Sequence, residues 1–203
     1  MLLLLGVIVL GLLIGLALGG SLRALEHISF RWWGLAVAGL ALQFVPIPSS
    51  WGQRGHWLAV GLLVASYAVL TVFVAANFRL PGFPLMAVGF VLNLVAVAAN
   101  GGMPVSADAV RTAYGPGAPS LITALRTEGG EKHHIQRPDD ILLPITDQVP
   151  VPRPFHTVLS AGDVTSMAGA AWVVAGATLP AGRRRRVRRR KPGEVVEPLA
   201  AGD

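Results

Sequence analysis

The chain has no cysteine in 203 residues, so disulfides, thiolate metal sites and cysteine nucleophiles are all excluded. Charge is scarce as well, at 14% of residues against 53% hydrophobic, which is too little polar surface to coat a water-soluble globule of this size. Acidic and basic residues nearly balance up to residue 182, and the formal charge of +6 comes almost wholly from the run Arg183 to Lys191. No H-x-x-x-H or H-E-x-x-H helix is present to offer two imidazoles on one face, and Ser106 and Ser160 lie in no nucleophile-elbow context. The sequence therefore points away from a metal site, a bound cofactor and acyl-enzyme chemistry.

What the sequence has instead is long apolar runs separated by short charged ones. Leu2 to Leu22 contains no charged residue, and neither does Trp57 to Asn77. Each is long enough to cross a bilayer as a helix. The pattern predicts an all-α, polytopic bundle of five spans, over residues 2–20, 32–47, 57–77, 83–99 and 158–179. Residues 1–182 are read as one transmembrane domain and 183–203 as a polybasic cytosolic tail. The second and fourth spans are short: sixteen residues of helix reach only about 24 Å, so they must thin the bilayer or lean on neighbours. Trp32, Trp33, Trp51 and Trp57 fall at predicted span ends, where indole rings sit among headgroups. The first span lacks a basic leader and ends in a poor cleavage site, so a retained helix is expected in place of a signal peptide. Gly11, Gly15 and Gly19 would line one of its faces and let another helix come close.

The basic run sets the expected topology. Arg183, Arg184, Arg185, Arg186, Arg188, Arg189, Arg190 and Lys191 are hard to translocate, which puts the C-terminus in the cytoplasm and, with five spans, the N-terminus outside. The same side chains attract anionic lipid headgroups at about 1 kcal/mol each. With no aromatic interleaving, nucleic acid is not an expected partner. The stretch 100–157 then becomes an external loop, proline-rich and long enough to have a job. Its apolar segment Ile141 to Ile145 argues that its second half folds against the helices, and Val149 to Pro154 reads as extended, polyproline-like chain.

Three blocks resemble DUF5317, a bacterial membrane-protein family known only as a domain of unknown function. They are Ala99 to Ser106; Lys132-His133 with Leu143 to Asp147 and Val149 to Pro152; and Ser160 to Asp163. Where the family carries a large apolar residue and Gly before the Asp of the middle block, this chain has Ile145-Thr146 before Asp147. The resemblance implies a multi-pass membrane protein and adds no mechanism.

Among single residues, Asp163 stands out as an ionisable group at the start of a membrane helix, which needs a partner or a job. One reading makes it the N-cap of the last helix, with Gly162 breaking the lead-in. The other makes it a ligand-binding or catalytic group together with Asn93 and Asn100. Asn100-Gly101-Gly102 reads as a helix C-cap, and the paired-glycine turn also offers N–H groups to an anion. His133, Asp147 and Asp163 are the candidate acid/base residues. His134, Asp139, Asp140 and His156 complete the set of potential metal ligands, but adjacent histidines seldom hold one ion. The leading expectation is a non-enzymatic membrane component that binds a partner protein or lipid through the 100–157 loop. The alternatives are an enzyme on a lipid or lipid-linked substrate and a small transporter. The transporter suffers from its odd span count and lack of an internal repeat.

Overall fold

The computed structural model describes residues 2–27, 29–127 and 132–179. The basic run from Arg183 to Lys191 lies outside them. Seven α-helices and four short strands are present among the described residues: α1 (Leu2–Ala17), α2 (Trp33–Gln43), α3 (Gly52–Ala76), α4 (Phe83–Asn100), β1 (Met103–Val105), α5 (Ala107–Tyr114), α6 (Ala118–Thr127), β2 (His133–Ile135), β3 (Asp147–Val151), β4 (Thr157–Ser160) and α7 (Ala161–Thr178).

Two helices, α3 with 25 residues and α4 with 18, are long and apolar enough to cross a membrane, at mean hydropathies of 2.4 and 1.9. The expectation of five spans is not supported by element length. Helix α1 stops at Ala17, α2 has only 11 residues, and α7 contains Asp163 and several Gly, Ser and Thr residues in its 18. Residues 158–160, expected to open the last span, belong to strand β4 (Thr157–Ser160) instead.

The five apolar helices pack in the order α1, α7, α4, α3, α2, each touching the next. Small residues make these approaches possible. Gly11 and Gly15 of α1 lie against α7, where an added Cβ would come within 2.6 Å of the Ala171 carbonyl and 2.8 Å of the Ala175 carbonyl respectively. Gly19 is beyond the helix end, in a left-handed turn, and is not part of the stripe. Between α2 and α3 the contact is polar at its centre: the Ser66 hydroxyl donates to the Gly39 carbonyl at 2.7 Å and accepts from Gln43 Nε2 at 2.9 Å. Each buried polar atom is thereby matched, as an apolar surrounding demands.

The all-α expectation is corrected by the segment between α4 and α7, which folds as a small α/β unit with sheet order β2-β1-β3-β4. β1 pairs in parallel with β2 and, at Val105 and Asp147, with β3; β3 and β4 run antiparallel. β1 reaches β3 at that one position, so from Val149 onward β3 has a partner on one side only. An edge of this kind is where a strand tolerates proline, here Pro150. α5 and α6 cover the sheet through a core of Val105, Val110, Ala118, Ile122 and Ile135. The turn Leu143–Ile145 packs Ile145 onto Val60, Leu63, Ala96, Val97 and Met103 at the ends of α3 and α4. Lys132 adds a tie to α2, its ammonium donating to the Gln43 carbonyl at 2.5 Å in the last turn of that helix, where a cation is favoured. α4 runs directly into β1 and β4 directly into α7, so the sheet stands on the two central helices of the bundle.

Candidate functional site

At that junction, a polar network crosses three helices. Asn93, buried at mid-α4, donates through Nδ2 to Asp163 Oδ1 at 2.7 Å and to the Tyr67 hydroxyl at 3.3 Å, and its Oδ1 accepts from the Ser160 hydroxyl at 2.7 Å. Asp163 is not itself the N-cap of α7. That role falls to Ser160, whose Oγ accepts from the Asp163 N–H at 2.8 Å while Asp163 Oδ2 accepts from the Ser160 N–H at 3.1 Å. This is a capping box, and it spends one carboxylate oxygen on the helix start and the other on Asn93. The spacing Ser160-x-x-Asp163 carries the signal for it in the sequence. Nothing in the sequence singled out Tyr67.

The expected consequence is stability. Asn93→Leu fills a similar volume but removes every partner Asn93 supplies to Asp163, Ser160 and Tyr67, and should lower unfolding stability by about 2 kcal/mol. Thermal unfolding of the purified chain in detergent reads it; an unchanged midpoint would mean that the network contributes nothing.

The sheet continues the site outward. Asp147 is paired with Val105 on one side and Ser160 on the other, which brings it beside the start of α7. Its carboxyl, 8% exposed, lies 3.9 Å from Nε2 of the half-exposed His133. Burial, and secondarily the charge of Asp163, push Asp147 from 3.8 up to about 8. Burial therefore favours its neutral, protonated form. His133 and Asp147 sit in the wall of a cavity of about 280 Å³ whose remaining lining is chiefly apolar, with Val105, Val110, Leu121 and Val158 prominent.

Thus His133, Asp147 and Asp163 are gathered in one region, with Asn93 behind them. Asn100, Gly101 and Gly102 are spent on architecture. The Asn100 amide donates to the Ala96 and Ile141 carbonyls at 2.9 and 3.0 Å and accepts from the Ile141 N–H at 2.8 Å. The N–H groups of Gly101 and Gly102, both with positive φ, donate to the Val97 carbonyl, which leaves neither for an anion. His133 and His134 follow the alternation of β2 and leave on opposite faces: His134 is buried, with Nε2 at 3.0 and 3.1 Å from the two carboxylate oxygens of Asp140. No three His, Asp or Glu side chains converge as a metal set among the described residues.

The family model described as "Family of unknown function (DUF5317)" matches residues 27–175, which take in α2 through most of α7 and the whole of this site. No curated protein and no solved structure matches the chain. The chain belongs to the DUF5317 family.

Proposed function

We propose that this member of a family of unknown function is a multi-pass membrane protein that uses its α/β unit to hold a lipid or lipid-linked molecule in the cavity beside His133 and Asp147. The observation that carries the reading is the cavity itself: apolar walls, and two titratable groups meeting at 3.9 Å on one side. A mostly apolar pocket with a few convergent polar groups suits a ligand with an apolar body and a polar end.

Membrane insertion is supported by what the bundle leaves uncovered. Only 39% of the most apolar window of α3 and 28% of that of α4 is buried within the protein. Leu5, Leu10, Leu13, Trp33, Val37, Trp57, Val72, Val88 and Trp172 are all exposed. An uncovered apolar surface spread over five helices is unfavourable in water and favourable in lipid. Five crossings, with the N-terminus outside and the basic tail in the cytoplasm, belong to the same proposal. The 11 residues of α2 reach only about 17 Å, so it would cross only where the bilayer is locally thin.

Native mass spectrometry of the purified full chain tests the ligand. The wild type should retain a lipid-sized mass that Leu121→Trp, which fills the cavity, and His133→Ala, which removes its polar end, both lose while their unfolding midpoints hold. Retention by both variants would overturn the assignment of this cavity. An enzyme is the second reading, favoured by the pairing of a neutral carboxylic acid with an imidazole, which supplies a general acid and a general base in one site. It predicts that Asp147→Asn keeps its bound mass and accumulates it unconverted.

A further inference from the structure

The α/β unit carries a second cavity, of about 270 Å³, that neither His133 nor Asp147 lines. It lies between the end of α6 and the chain leaving β2, and its polar lining comes from Arg126, His134, Gln136 and Arg137. Asp140, close by in the chain, is already engaged: it meets His134 Nε2 and accepts the Arg137 backbone N–H at 2.7 Å. His134 Nδ1 has no hydrogen-bond partner among the described residues, but it is turned toward Gly102, where an added Cβ would come within 3.1 Å of it. The groups left to act on the cavity are the guanidinium groups of Arg126 and Arg137 and the amide of Gln136. Gln136 Nε2 is buried and has no hydrogen-bond partner among the described residues. A buried donor without an acceptor costs about 1–3 kcal/mol and calls for an explanation.

These groups are of one kind. Guanidinium groups only donate, and their planar forks match the oxygens of a phosphate or carboxylate. An amide N–H that has no acceptor among the described residues adds a third donor. A group with several anionic oxygens matches the two guanidinium groups, with the Gln136 amide behind them, and the volume is sufficient for a phosphate with part of what it is attached to. We propose that the Arg126, Gln136 and Arg137 cavity is a phosphate-binding site, taking the group either as a free anion or as the headgroup of an anionic lipid.

The test uses the full chain in a maltoside detergent, which contributes no phosphate of its own, titrated separately with inorganic phosphate and with short-chain phosphatidic acid. Broadening of the ³¹P signal and the unfolding midpoint are read for the wild type, for Arg126→Ala with Arg137→Ala, and for Gln136→Leu. Both guanidinium groups lie at the surface, so the double variant should fold. The result expected is binding weakened at least tenfold by the double variant and measurably by Gln136→Leu. An effect of inorganic phosphate assigns the site to a free anion; an effect of phosphatidic acid alone, still lost in the double variant, assigns it to a lipid headgroup. Binding that the variants leave unchanged would belong to the basic run at Arg183 to Lys191 and would overturn the proposal, as would no binding of either probe.

Discussion

Gly162→Ala is expected to cost at least about 3 kcal/mol, and Gly162→Val to prevent the bundle from assembling. A Cβ at Gly162 would overlap Asn93 Oδ1 and would stand 2.6 Å from both Asn93 Cγ and the Gly89 carbonyl. The overlap cannot be relieved cheaply. Gly89 is backbone on the facing helix, with its own Cβ position 2.5 Å from the Gly162 carbonyl, and Asn93 is held by three hydrogen bonds. α4 and α7 would have to move apart, and with them the capping box and the sheet that both helices carry. The contrast is Gly61→Ala on the exposed face of α3, where an added Cβ meets nothing within 4 Å. That change should stabilise the helix by about 0.5–1 kcal/mol. Circular dichroism melts of the two alanine variants in the same detergent check both signs. A mild Gly162→Ala would show that the α4–α7 contact is looser than the structure has it.

That contact was only partly readable in the sequence. Asn93 and Asp163 could be paired because polar residues inside apolar runs are conspicuous, and α3 and α4 follow from runs long enough to fix a helix. Gly162 and Ser160 were harder to place. The apolar pair Val158-Leu159 continues smoothly into α7, so hydropathy merges a strand with a helix, and the true boundary is set by the reciprocal hydrogen bonds of Ser160 and Asp163. The sheet was hidden for a different reason. β1 and β2 are three residues each, below the length at which alternation can register, and β1 and β3 each contain a proline. Their partners lie about thirty residues or more away, at His133 and Asp147 for β1, and nothing local announces pairing over such a distance. α5 has a short apolar face of Ala109, Val110 and Ala113, easily lost among the prolines of the segment. Hydropathy, in short, marks what faces lipid or a core over many residues. The candidate site is built where that marking stops, from short elements whose geometry depends on what they meet.

Asp147 gives the second large effect, and its sign follows from the direction of its shift. An unfolded aspartate ionises near 3.8, whereas Asp147 in the folded chain holds its proton up to about 8. Between those values the folded state binds one proton more than the unfolded state, so stability falls as pH rises. The contribution of the neutral group is fully present below about pH 4, is lost progressively toward pH 8, and is constant above that. A shift of this size corresponds to a change on the order of 6 kcal/mol across the window. Asp147→Asn, which has the shape of the neutral acid and no proton to lose, should remove that slope. The variant should match the wild type near pH 4 and exceed it clearly at pH 8. The comparison is best made as a difference between the two proteins in chemical unfolding at several pH values, so that contributions common to both cancel. Parallel curves would mean that Asp147 is ionised in the folded protein at neutral pH. In that event the cavity beside His133 would present a carboxylate, and the general-acid role would fall.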